Sequence, residues 1–181
     1  MPILYSERLR LRAPERVDIP IFLKWINDPE VCEHLEQFTA MNLDQEEAWY
    51  DAITKGPRTE MPLVIEVREG EEWLPIGNIA FLGIHLVNRD SEIGIMIGEK
   101  AYWNKGYGTE AMQRMLQYGF EELNLHRIYL QVYEGNDRGK QAYKKAGFTY
   151  EGTMRQARYH RGRYWDVDIM SILKNEWNIN S

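Results

Sequence analysis

The sequence predicts a mixed α+β domain: a twisted sheet of about seven strands flanked by about four helices, in the order βααβββαβαββ. Three observations carry this. Segments near both ends alternate apolar and polar residues with period two, as half-buried strands do. Between them lie segments with apolar residues three and four apart, the clearest being Met112, Met115, Leu116, Gly119, Phe120 and Leu123. The 181 residues contain no repeat, low-complexity stretch or linker, so residues 1–181 read as one domain.

Leu9 and Leu11 alternate with Arg8, Arg10 and Arg12 and predict the first strand. Asp18 is placed to N-cap a helix with Pro20 in its first turn. Ile21, Phe22, Trp25 and Ile26 form its stripe, which ends near Asn27-Asp28-Pro29. A second helix begins at Asn42, with Gln45 completing a capping-box pair. Trp49, Ala52 and Ile53 give it an apolar side, and Lys55-Gly56-Pro57 breaks it. Strands follow over 62–68 and 75–84 around the turn Glu69-Gly70-Glu71-Glu72, then over 91–97 after Asn88-Arg89-Asp90. The long helix comes next, then a strand over 126–133 with Ile128, Leu130 and Val132 on one face. A short helix carries Tyr143, and two strands over 148–158 and 163–173 close the chain.

Composition narrows the function. A chain of this size buries roughly 70% of its unfolded surface and needs no disulfide or metal staple. Cys32 is the single cysteine, which fits a reducing compartment. No apolar run approaches the ~20 residues of a membrane span, and the N-terminus lacks a signal-peptide core, so the expected location is cytoplasmic, with no membrane partner. A net charge of −6 argues against a nucleic-acid partner and mildly favours cationic ones.

The most informative stretch is Trp103-Asn104-Lys105-Gly106-Tyr107-Gly108-Thr109-Glu110-Ala111. Its two glycines stand where a loop becomes a helix, so the backbone can bend sharply and approach a ligand. A helix start of this kind presents free N–H groups and a positive dipole end to an anion, and Lys105 adds a mobile cation. The physical reading is a phosphate or pyrophosphate cradle; an ordinary Gly-rich turn is the alternative.

About 30 residues on comes Asn136-Asp137-Arg138-Gly139-Lys140-Gln141-Ala142-Tyr143-Lys144-Lys145-Ala146-Gly147-Phe148. Together the two segments resemble the GNAT N-acetyltransferase superfamily, whose members use acetyl-CoA. Gly106 and Gly108 match the family's cofactor loop; Asn136, Tyr143, Gly147 and Phe148 match its later segment. The loop's usual Arg or Gln position holds Trp103. An aromatic there resembles the branch of ribosomal-protein N-terminal (Rim-type) and spermidine acetyltransferases. The likeness extends to Glu7-Arg8-Leu9-Arg10-Leu11-Arg12, to Trp25-Ile26-Asn27-Asp28-Pro29-Glu30-Val31 and to Gly162-Arg163-Tyr164-Trp165-Asp166-Val167.

The resemblance implies a GNAT-type fold and acetyl transfer from acetyl-CoA, as co-substrate, to a primary amine by direct transfer in a ternary complex. That reaction needs deprotonation of the amine, polarisation of the carbonyl and protonation of the leaving thiolate. Tyr143 matches the tyrosine that protonates the sulfur; a core tyrosine is the alternative. Asn136 matches the residue bonding the CoA arm, and it also suits a helix N-cap. Glu92 begins the strand that runs beside the pantetheine arm, where a carboxylate could take the amine proton; a solvated strand residue is equally consistent. The amides of Met96 and Ile97 are expected to hold the pantetheine, and Gly94 to permit a bulge. Asn104, Lys105, Gly106, Tyr107, Gly108, Thr109 and Lys145 complete the implied cofactor set.

Acceptor choice is expected in the first two helices and the C-terminal hairpin. Asp28, Glu30, Glu33 and Glu36 form an acidic run, and Asp166 and Asp168 share a strand face; a solvated charged surface is the plainer reading. A protein N-terminus and a polyamine such as spermidine both remain open as acceptor. His34, His85, His126 and His160 are scattered without ligand spacing, so no metal is expected. Cys32 has no neighbouring base to make it a nucleophile. A homodimer is compatible with the resemblance, and a non-catalytic acyl-CoA-binding sensor on the same fold is the competing reading.

Overall fold

The structure, a computed structural model, describes residues 3–36 and 39–180. Strands β1 (Leu4–Tyr5) and β2 (Leu9–Arg12) precede helices α1 (Ile19–Ile26) and α2 (Leu43–Lys55). Strands β3 (Leu63–Glu69), β4 (Glu72–His85) and β5 (Asp90–Ile97) follow as a meander. Then come α3 (Tyr107–Gln117), β6 (Arg127–Tyr133), α4 (Asp137–Ala146), β7 (Thr149–His160), β8 (Arg163–Leu173) and α5 (Lys174–Asn180). All the elements expected from the sequence are present. β1 and α5 are additions: two residues are too few for a period, and α5 starts directly from β8, where Glu176 accepts the Leu173 amide at 2.8 Å.

Local chemistry sets the helix ends. Asn42 and Gln45 form the reciprocal capping box, each bond 2.9 Å. Asp18 does not cap with its side chain. Its carboxylate bonds Arg12 at 2.7 Å and the Glu15 amide at 2.7 Å, tying the start of α1 to β2. Trp49 packs edge-on against Phe22, with ring centroids 6.0 Å apart. Ala52, expected on the apolar side of α2, faces solvent instead. After Gln117 the long helix widens into a π turn over Tyr118–Glu122, closed by the Leu123 amide on the Tyr118 carbonyl at 3.1 Å. Gly119 sits flush on the sheet there, since a Cβ would meet Phe81 at 2.7 Å and Ile128 at 2.8 Å.

The eight strands form one sheet in the order β1-β2-β3-β4-β5-β6-β8-β7. On one face Leu63, Ile65, Ile79 and Phe81 pack against Met112, Met115, Leu116 and Phe120. A smaller cluster joins Phe22 and Trp25 of α1 to Val31 and Val64. Among the described residues no helix is long and apolar enough to cross a membrane. The expected bulge at Gly94 is not seen: the β4–β5 register runs unbroken through Ala80↔Gly94 and shifts only between Leu82 and His85. The missing Cβ of Gly94 instead makes room for the Leu82 side chain, 3.4 Å from where it would stand.

One pairing shapes the site. β5 and β6 are parallel, and they pair only at Asp90↔Arg127, Ser91↔Ile128 and Glu92↔Tyr129. Beyond Glu92, β5 stays with β4 as far as Ile97, while β6 stays with β8 as far as Tyr133. The two strands therefore part, and a wedge opens in the middle of the sheet with Glu92 at its apex.

Candidate active site

A cavity of about 660 Å³ occupies this wedge. Glu92, Met96 and Ile97 of β5 line it, with Asn104, Gly106, Tyr107, Gly108 and Thr109 at the start of α3, and Asn136, Tyr143 and Lys145 of the α4 segment. The sequence-predicted residues thus come together from three separate parts of the chain. Lys105 is the exception: its amine lies over the Tyr102 ring, 5.6 Å from the centroid, and it is not among the lining residues.

The α3 entrance has the form of an anion seat. Asn104 and Gly106 adopt positive φ, 60° and 84°, which turns the chain sharply into the helix. Gly106 occupies the N-cap and supplies no side-chain cap, so the first N–H groups of α3 keep their donors. Gly108 lies in the first turn, and a Cβ there would approach only Ile97, at 3.8 Å. Arg8 braces the loop from outside. Its Nε bonds Glu110 at 2.7 Å, its Nη1 bonds the Lys105 carbonyl at 3.2 Å, and its guanidinium covers the Tyr107 ring.

Trp103 fills the position where the resemblance expects Arg or Gln. Its Nε1 donates to the Ile97 carbonyl at 2.7 Å, pinning the loop to the end of β5. A cation is still supplied, by Arg138 from α4, whose guanidinium carbon lies 3.8 Å from the indole centroid. No local pattern in the sequence marks Arg138 for this place.

On β5 the Gly98 amide bonds the Ile76 carbonyl at 2.8 Å, on the β4 side. Successive amides of a strand point to opposite edges. The Met96 amide therefore faces β4, and the Ile97 amide faces the wedge. Asn136 divides its side chain: Oδ1 caps α4 by accepting the Gly139 amide at 2.9 Å, which leaves the NH₂ group to the cavity. Gly139 must be this small, because a Cβ would stand 2.7 Å from that side chain.

Tyr143 packs edge-on against Phe148, centroids 6.2 Å apart. Burial, relieved slightly by Arg138, pushes its phenol up to about 12, so it keeps its proton across any working pH. Glu92 takes a bond of 3.4 Å from Gln131. Burial raises its pKa, and the nearby Glu36 carboxylate raises it further against the Gln131 bond. His34 also lines the cavity; burial, then Arg138 and Arg158, hold it below the usual histidine range.

Most of the expected acceptor carboxylates are committed elsewhere. Asp28 and Glu30 both hold Lys100, at 2.8 and 3.0 Å, and Glu33 pairs with Arg161 at 3.0 Å. Asp168 pairs with Lys140 at 2.7 Å, and Asp166 accepts the Gln156 amide at 2.7 Å. Glu36 alone of the six lines the cavity, where the Tyr133 hydroxyl donates to it at 2.9 Å. Tyr133 and Gln131, which no local pattern marks, line the cavity too. With Ile128, Leu130 and Val132 on the core face, strand alternation puts both on the opposite one.

Residues 8–149 match the family described as the Acetyltransferase (GNAT) domain. The chain belongs to the GNAT acetyltransferases. It is 33% identical to the uncharacterised N-acetyltransferase p20 of Bacillus licheniformis, over 98% of this chain and 99% of that one. It is 29% identical to the spermidine N(1)-acetyltransferase of Vibrio cholerae, over 95% and 96%. A crystal structure of the Vibrio cholerae spermidine N-acetyltransferase in complex with CoA and spermine superposes with a TM-score of 0.86, at 28% identity, covering 96% of this chain and 99% of the other. The fold is thus that of an N-acetyltransferase family.

Proposed function

We propose that this acetyltransferase moves an acetyl group from acetyl-CoA to a primary amine of a small polycation of the spermidine class, by direct transfer with both substrates bound. The observation that carries this is one cavity holding a carboxylate poised to titrate, a buried phenol and an uncapped helix start. The α3 amides suit the pyrophosphate, with Arg138 beside them. The open edge of β5 suits the pantetheine, and the Ile97 amide is placed to polarise the acetyl carbonyl.

Glu92 takes the amine proton as nitrogen attacks, and its raised pKa makes it a better base than an ordinary carboxylate. Tyr143 hydrogen-bonds and protonates the leaving sulfur. Glu36 adds a second negative charge near Glu92, which favours an acceptor with a second ammonium. A protein N-terminus carries one ammonium and would leave the Glu36 carboxylate without a cationic partner. A non-catalytic sensor would have no use for a base at the wedge apex. The near full-length likeness to a spermidine acetyltransferase supports the same choice.

The test is an acceptor screen with acetyl-CoA, reading free thiol against polyamines, amino acids, aminoglycosides and N-terminal peptides. Polyamines should lead. Thiol release with none of them would remove the catalytic reading, and release with peptides alone would move the acceptor to a protein N-terminus.

A further inference from the structure

Arg158 stands on β7, one of the two edge strands of the sheet, yet it is only 7% exposed where most of its strand neighbours face solvent. The cause is a break in the strand. β7 and β8 lose register between Met154 and Arg158, and Gln156 sits at φ 52° with its amide on Asp166 Oδ1 at 2.7 Å. Bulges of this kind re-aim the side chain that follows. Here the bulge turns Arg158 inward. Its Nη2 donates to the Leu35 carbonyl at 2.7 Å, and its guanidinium carbon lies 3.8 Å from the centroid of the Tyr133 ring.

This is a costly place for a guanidinium. Its Nε is buried with no hydrogen-bond partner among the described residues, and burial lowers its pKa. What the arrangement achieves is a fixed chain of contacts. Arg158 covers Tyr133, the Tyr133 hydroxyl holds Glu36, and the same guanidinium ties down the Leu35 backbone next to Glu36. Glu36 is otherwise an exposed side chain that no regular element holds in place.

We propose that Arg158 is a positioning residue for acceptor selection: through Leu35 and Tyr133 it holds the Glu36 carboxylate in the cavity beside Glu92, and so favours acceptors with a second ammonium over those with one. This rests on the reading of the cavity as an amine-acceptor site. Asp166 belongs to the same device, because it pins the bulge that aims Arg158.

The experiment compares kcat/KM for spermidine and for n-butylamine, which share an aminobutyl end and differ in further charge. It uses wild type, Glu36→Gln, Tyr133→Phe, Arg158→Met and the double variant Glu36→Gln/Arg158→Met. Wild type should prefer spermidine, and each single variant should lower that preference about tenfold, mainly through acceptor KM. The double variant should lose no more than either single one, since Arg158 acts through Glu36. The KM for acetyl-CoA should stay within about twofold. Tyr133→Phe keeps the ring that Arg158 covers, so it tests the contact even if Arg158→Met folds poorly. A wild type without the preference, a preference that survives Tyr133→Phe and Arg158→Met, or strictly additive losses would overturn the inference. A wild type that acetylates only single-ammonium acceptors would overturn it while leaving acetyl transfer itself intact.

Discussion

The guanidinium of Arg138 stacks 3.8 Å above the indole of Trp103, joining the first turn of α4 to the loop that leads into α3. A cation in the first turn of a helix opposes the helix dipole, so its position calls for a compensating partner. Trp103 supplies part of that through its π face. An anion at the neighbouring α3 entrance would supply the rest. Arg138→Ala should therefore weaken acetyl-CoA binding by about tenfold, with the fold retained. Calorimetry with CoA reads this directly. Unchanged affinity in a folded variant would reduce Arg138 to a stacking partner.

Gly108 gives a second handle on the same seat. Its φ is not in the left-handed region, and a Cβ would meet only Ile97 at 3.8 Å. The protein itself has room for a side chain there; a bound phosphate at the α3 amides would not. Gly108→Val should keep the fold, because valine is no poorer a helix former than glycine, and weaken acetyl-CoA binding at least tenfold. If a folded variant binds as wild type does, the α3 start is not the pyrophosphate site.

Tyr143→Phe keeps the ring against Phe148 and removes one hydroxyl. The phenol, pushed up to about 12, is protonated in the free enzyme, so the proposed mechanism uses it as a proton donor. Turnover should fall by roughly 10²-fold or more while acetyl-CoA binding changes little. Single-turnover kinetics separate the two. Wild-type turnover in the variant would return Tyr143 to a packing role.

What could be read from the chain and what could not follow a physical division. Gly106 and Gly108 were legible as a turn and a helix start, and Asn136 as a cap, because that work is local; Tyr143 stood out from a core tyrosine only through the family resemblance. The capping box of Asn42 and Gln45 was legible for the same reason. Glu36 was found only as one of six acidic candidates, because nothing local says that Lys100 and Arg161 neutralise Asp28, Glu30 and Glu33. Arg158 was invisible. It meets Leu35 across 123 positions of sequence, and only a bulge pinned by Asp166 turns it there. The wedge itself depends on β5 and β6 pairing for three residues and then parting, which strand periodicity does not record.

The last prediction concerns Glu92. Burial and the Glu36 charge raise its pKa, so the folded state holds the proton more tightly than the unfolded chain does. The sign follows from linkage. A carboxyl raised in the fold costs stability as pH climbs from its unfolded value, near 4.3, through its folded one, and that cost persists above both. Glu92→Gln removes the ionisation while keeping the shape. It should raise the melting temperature at pH 8 and gain less or nothing at pH 4. Activity should move the opposite way. The base must be unprotonated, so wild-type kcat/KM should rise with pH through the raised pKa of Glu92 and continue until the acceptor amine is also free. The variant should be most impaired near neutral pH, and the gap should narrow as pH rises, because solvent then supplies the neutral amine. A pH–rate series and melting curves on the same two proteins test both halves. A constant rate ratio across the range would show that Glu92 does not take the proton. His34, whose pKa burial lowers in the same cavity, would then be the next group to vary. A stability gain without a rate loss would make Glu92 a strained wall residue of the wedge and not its base.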